Sequence, residues 1–119
     1  MINKDEDIEF GKLKEFIFSF DFSNKGIFYD QIEQAVVDIQ RTDYSVVYKF
    51  YVNSFCNPLP NSFNGMPISI DVTYENDYTC CELFVAHGYI MEIRMYNVNG
   101  SKLSMDNFWK GNAHYEKIV

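Results

Sequence analysis

The chain has 119 residues, a formal net charge of -7, a pI near 4.6 and an aromatic content of 18%. That length suits a single domain, residues 1–119, able to bury most of the surface its unfolded chain exposes, and the aromatic content argues against disorder. The charge argues against direct binding to DNA or RNA, which needs clustered Lys and Arg, and points to a basic protein partner.

The first residues, MINKDEDIEF, lack the apolar core of a signal peptide. No apolar run approaches the ~18 residues of a membrane span, so no membrane contact and a cytoplasmic location are expected. Leu13, Phe16, Ile17 and Phe20 recur at helical spacing, and Asp5, Glu6 and Asp7 suit the positive end of a helix dipole. The spacing predicts a helix over 5–20, ended by Ser23-Asn24-Lys25-Gly26.

Residues 27–40 read two ways. Phe28, Ile32, Ala35, Val36 and Ile39 form one helical face, whereas Val37 and Ile39 ahead of Thr42-Asp43 form the first strand of a hairpin. The preferred reading is a short helical turn over 29–34 and a strand over 35–41, with one longer helix as the alternative. Tyr44, Val46, Tyr48, Phe50 and Val52 alternate through a strand over 44–55. Pro58 and Pro60 then make 57–65 a loop.

Residues 67–100 carry the strongest pattern. Ile68, Ile70, Val72 and Tyr74 alternate with Ser69, Asp71, Thr73 and Glu75; Cys81, Leu83 and Val85 alternate with Cys80, Glu82 and Phe84; Met91, Ile93 and Met95 alternate with Glu92, Arg94 and Tyr96. Three antiparallel strands follow, over 67–75, 78–86 and 90–98. With Asn76-Asp77 as a two-residue loop, Asp71 would lie opposite Glu82 and Val72 opposite Cys81. A three-residue second loop with Gly88 as bulge residue would set Leu83 beside Ile93 and Arg94 opposite Glu82. After Gly100 no period is sustained; Leu103, Met105, Phe108 and Trp109 suit a short helical turn, and the last residues either hang loose or lie along a sheet edge. The expected fold is α+β, an N-terminal helix packed on a mostly antiparallel sheet of about five strands.

Catalytic patterns are thin. The chain has no Gly-rich phosphate loop, no G-x-S-x-G and no H-E-x-x-H. Cys56, Cys80 and Cys81 are odd in number and two are adjacent, so they form no disulfide framework, and neighbours on a strand face opposite ways and share a metal with difficulty. His87 falls in a turn and His114 in the tail. An enzyme would need Cys80, Glu82 and His87, or the carboxylates Asp71, Glu82 and Glu92, to converge. No catalytic residue, metal or cofactor is expected.

The stretch His87 to Leu103, HGYIMEIRMYNVNGSKL, resembles the signature of small bacterial proteins encoded beside polymorphic toxins. In that signature G-(Y/F)-(I/L)-x-E-(L/I)-E-(I/F)-Y/F precedes N-x-D-G-S and an apolar residue. Gly88, Tyr89, Ile90, Glu92, Ile93, Tyr96, Asn97, Gly100, Ser101 and Leu103 match it. Arg94 departs from the usual second acid and Asn99 from the usual turn Asp, although Asn99-Gly100 still suits a type I′ turn. Upstream, Leu59-Pro60 and the strand from Pro67 to Val72 are similar as well, so the likeness spans roughly 35–103. It implies an immunity protein of a toxin–immunity pair, such as a contact-dependent growth inhibition system: a non-enzymatic inhibitor that binds its cognate toxin domain one to one.

Many such toxins are nucleases, which must be basic to hold phosphate. An acidic inhibitor meets that surface with complementary potential and fast capture. The expected contacts are Asp71, Glu75, Asp77, Glu82, Glu92 and Arg94, with Tyr78, Tyr96 and Trp109 as aromatic anchors. Two other classes stand beside this one: a general interaction module that adds a strand at a sheet edge, and a small enzyme with a Cys80, Glu82 and His87 pocket. A toxin's identity, the contact surface and the oligomeric state lie beyond the sequence.

Overall fold

The computed structural model describes residues 4–117, the side chain of Lys117 excepted. It is an α+β fold. Helix α1 (Lys4–Phe18) and helix α2 (Lys25–Gln34) lead into strands β1 (Val36–Arg41), β2 (Ser45–Tyr51), β3 (Gly65–Tyr74), β4 (Asp77–Ala86) and β5 (Tyr89–Asn97). A short helix α3 (Met105–Lys110) and strand β6 (Asn112–Lys117) follow. All neighbouring strands are antiparallel, in the order β1-β2-β5-β4-β3-β6, so the sheet has six strands rather than about five.

The sixth strand comes from the tail, which lies along the β3 edge as one of its two expected courses. Its Tyr115 ring stacks on Phe20 at 5.1 Å, which holds the strand to the helical layer. The segment before β1 also differs from the preferred reading. Helix α2 is longer than a single turn, and the break falls at Ala35, whose φ of -76° and ψ of 149° are extended. The β-branched pair Val36-Val37 then favours the strand. Strand β2 is shorter than 44–55, because Tyr44 belongs to the turn and 52–55 to the next loop. That loop contains one 3-10 turn, Asn61–Phe63, which seats Phe63 edge-on against Phe28 at 5.7 Å.

Two register expectations are corrected. The first hairpin turns on Glu75-Asn76, with Tyr74 opposite Asp77, so Asp71 faces Cys80 and Val72 faces Thr79. Glu75 accepts a positive φ of 53° there. The slip is two residues, an even number, so every side chain keeps its face. The second loop has two residues, His87 and Gly88, both at positive φ (53° and 84°), with Ala86 opposite Tyr89. The extra residue is Met91, a bulge between the Val85–Ile90 and Phe84–Glu92 pairs. It restores Leu83 to Ile93 and Glu82 to Arg94 as expected. Asn99 does not turn at positive φ; Gly100 alone does, at 77°.

One face of the sheet is covered. Val46, Tyr48, Ile68, Ile70, Val72, Cys81, Leu83, Ile93 and Met95 are buried there under α1 residues Phe10, Leu13 and Ile17 and α2 residues Phe28 and Ile32. Each such aliphatic side chain contributes roughly 1.5–3 kcal/mol of transfer free energy. Helix α1 runs diagonally: Phe10 stacks on Tyr48 of β2, whereas Phe16 meets Phe108 and Trp109 of α3. Glu9 extends this anchor, accepting from the Tyr48 hydroxyl at 2.6 Å and pairing with Arg41.

A candidate partner-binding face on the open side of the sheet

The other face carries no helix. Strand alternation sends Ser69, Asp71 and Thr73 of β3, Tyr78, Cys80, Glu82 and Phe84 of β4, and Glu92, Arg94 and Tyr96 of β5 to this side. Ser45, Val47, Lys49 and Tyr51 of β2 and Val36, Asp38 and Gln40 of β1 continue it, as do His114 and Glu116 of β6. The fold thus brings together six of the nine expected contact residues: Asp71, Tyr78, Glu82, Glu92, Arg94 and Tyr96. Glu75 lies at the rim, in the β3–β4 turn.

Two expected contacts fall on the opposite side. Asp77 accepts from the Asn107 amide at 3.1 Å, which ties β4 to α3. Trp109 packs edge-on against Phe108 and Phe16 at 5.0 and 6.1 Å. Its half-buried ring belongs to the helical layer, because the tail turns back over the covered face.

Charge is uneven across the open face. Arg94 bonds Glu92 two residues before it on β5, at 3.1 and 3.3 Å, and its guanidinium lies 5.3 Å from the Phe84 ring centre. It faces Glu82 across the strands yet forms its ion pair with Glu92. Glu82 therefore has no cationic partner among the described residues. Asp71 accepts from the Tyr78 hydroxyl at 2.8 Å, which raises the Tyr78 phenol pKa, and it likewise has no cationic partner among them. The β4–β3–β6 half of the face thus carries Glu82, Asp71 and Glu116, whereas Lys49 and Arg94 lie on β2 and β5.

Cys80 sits between these carboxylates, paired with Asp71 on one side and Tyr96 on the other. Burial, then the hydrogen bond to Asp71 and its charge, push the thiol up to about 11. Burial and the Glu82 charge push Tyr96 up to about 12. A nucleophilic cysteine needs a positive neighbour to stabilise its thiolate, and this one has the reverse. His87, in the β4–β5 turn, stands seven residues along β4, roughly 23 Å at strand rise. Cys80, Glu82 and His87 do not converge.

The sequence reading missed the apolar part of this face. Tyr51 (60% exposed) and Met91 (49% exposed) border a trough of about 530 Å³ between β2, the β4–β5 turn and residues 52–54. The Tyr89 hydroxyl bridges this wall to the Ser54 and Cys56 carbonyls at 3.2 and 3.1 Å. A second groove of about 440 Å³, lined by Glu82, Arg94 and Tyr96 among others, shares Lys49 and Glu92 with it. At the far end Tyr78 and Val98 are exposed. Two signals were available in the sequence: the polar phase of β2 contains Val47 and Tyr51, and Ile90-Met91 breaks the alternation at the bulge.

Several polar side chains around the β5 strand have structural duties. The buried Gln31 amide donates to the Asn57 and Gly88 carbonyls (2.8 and 3.0 Å) and accepts from Ile90 N–H (2.9 Å). Asn97, also buried, accepts from Thr79 and donates to Ser101 and the Lys102 carbonyl. Asn99 caps Ser101 through its side chain, at 3.0 Å to N–H and 2.7 Å to hydroxyl. Among the described residues no group of acids, His and Cys forms a metal site, and no helix is long and apolar enough to cross a membrane. No protein-family model, curated protein or solved structure matches the chain.

Proposed function

We propose that this protein is an immunity protein, which binds a basic toxin domain one to one and blocks its active-site cleft with the open face of its sheet. The observation that carries the proposal is the uncovered face itself. It presents carboxylates without cationic partners beside exposed aromatic and aliphatic side chains, the composition of a protein interface rather than of a solvated sheet. The net charge of -7 adds long-range attraction to a basic partner. The resemblance between His87 and Leu103 gives the partner's class, and a nuclease is the natural basic toxin. The toxin acts in the cytoplasm, where this inhibitor would meet it.

The test is co-expression with the protein encoded immediately upstream. Tight one-to-one co-purification and rescue of growth from a toxic C-terminal domain are expected; a harmless or non-binding neighbour overturns the proposal. A second reading has its own observation. Thr42 N–H donates to the Ser45 carbonyl, which fixes the ladder so that Val37, Ile39 and Arg41 turn their main-chain groups away from β2. That open edge suits an interaction module that accepts a partner strand.

A further inference from the structure

The open face is divided: its apolar trough lies over β2 and β5, and the carboxylate group Glu82, Asp71 and Glu116 lies over β4, β3 and β6. We infer that the trough is the anchor point of the interface and takes one large apolar side chain from a partner whose cations lie one and two strands beyond β5, on Glu82 and Asp71. The inference rests on the partner-binding reading of this face, and not on the partner's being a toxin.

Three observations carry it. The trough is a built feature: the bulge residue Met91 lines it, and Tyr89 ties its wall to the neighbouring loop by bonds to the Ser54 and Cys56 carbonyls. Its mouth is apolar and exposed at Tyr51 and Met91. Charge is balanced around it, because Lys49 lies between Asp38 and Glu92 across the strands and Arg94 is paired with Glu92. A cationic side chain would meet Lys49 and Arg94 beside the carboxylates there, whereas an apolar one would be desolvated on several sides.

One and two strands beyond β5, the balance is reversed. Asp71 and Glu82 have no cationic partner among the described residues, and burial, reinforced by their charge, holds the neighbouring Cys80 and Tyr96 in their neutral forms. With strands about 4.8 Å apart and a rise of about 3.3 Å per residue along β5, Glu82 lies roughly 11 Å and Asp71 roughly 19 Å from Met91. The fitting segment therefore has one aromatic or long aliphatic residue and Lys or Arg about four and about six extended residues away. A second copy of this chain is disfavoured as the occupant, since it would bring the same carboxylates face to face.

The experiment is a titration of the ¹⁵N-labelled full chain with the peptide acetyl-GWGGGKGKG-amide, followed by nuclear magnetic resonance. Two controls accompany it, one with Trp replaced by Gly and one with both Lys replaced by Glu. The parent peptide is expected to shift amide signals of β2 and β5 around Tyr51 and Met91, together with those near Asp71 and Glu82. Each control should bind about tenfold more weakly or not at all. Equal shifts from all three peptides, or shifts confined to the helices, overturn the inference.

Tyr51→Ala and Met91→Asp alter exposed positions, and both should abolish the Trp-dependent shifts. The peptide controls on the unaltered chain decide the matter if either variant unfolds. The same variants separate the two proposals. A toxin domain that binds Tyr51→Ala and Met91→Asp undiminished overturns the trough and leaves immunity standing. A peptide that behaves as expected, beside a harmless neighbouring protein, leaves the trough and removes immunity.

Discussion

At Gly88 the chain has no room for a β-carbon. One placed there would stand 2.8 Å from Pro58 Cβ and 3.0 Å from the Leu59 carbonyl, at a φ of 84° that side chains avoid. Both main-chain groups of Gly88 are engaged, N–H to Asn64 at 2.9 Å and the carbonyl by Leu59 N–H at 2.7 Å and by Gln31. Gly88→Ala should therefore cost about 2 kcal/mol or more, read as a lower urea midpoint at unchanged slope. An unchanged midpoint would show that the 57–64 loop yields easily. Thiols give a second residue-scale prediction. Cys80 is pushed up to about 11 and Cys81 to about 12, from an ordinary value of 9.0. The unfolded chain thus loses these protons first as pH rises. Their contribution to stability is full below about pH 9 and is lost as pH climbs through the folded values. Unfolding free energy should fall between about pH 9 and 12, less steeply in Cys81→Ala, and iodoacetamide should label native Cys80 very slowly at pH 8. Rapid labelling there would reopen the nucleophile reading.

At the scale of elements, β6 shields the β3 edge over six paired positions, Ile68–Lys117 to Thr73–Asn112. A chain ending at Gly111 would bare a long strand whose main-chain groups invite pairing with other copies. Its expected signs are a lowered thermal midpoint and growing light scattering; a clear, equally stable solution would show that β6 is dispensable. The sequence announced the elements unevenly, for physical reasons. The central three strands were legible because a strand with one buried face must alternate, as Ile68, Ile70 and Val72 do. Helix α2 was blurred because its apolar residues run straight into Val36-Val37, so that no change of period marks the break. Strand β6 has almost no pattern of its own, since Ala113 and Tyr115 are the only described side chains of it that face the covered side. Six contact candidates came to lie on one face because alternation fixes the face even where the hairpin slips by two. Asp77 did not, because the slip takes it out of the turn and into β4, where alternation sends it to the side opposite Tyr78, and Trp109 did not, because its direction depends on how the tail packs. The trough was hidden for a related reason: a bulge is one residue, and only its neighbours across the sheet turn it into a concavity.

For the whole molecule, the decisive property is that net charge and open face act together at long range. Association with a basic partner should be fast at low salt and slow by about tenfold or more between roughly 50 and 500 mM NaCl. Glu82→Lys with Asp71→Lys should flatten that salt dependence through the association rate, measured by stopped flow. A salt-independent rate would mean that the acidic half of the face steers nothing. The separation of the sheet's two sides has another consequence. Phe10, Leu13, Tyr48 and Leu83 hold the fold from the covered side, while Tyr51, Asp71, Glu82 and Met91 contribute little to that packing. Substitutions on the outer surface can therefore accumulate without unfolding the chain, so one unchanged scaffold can follow a changing partner through successive rounds of mutation.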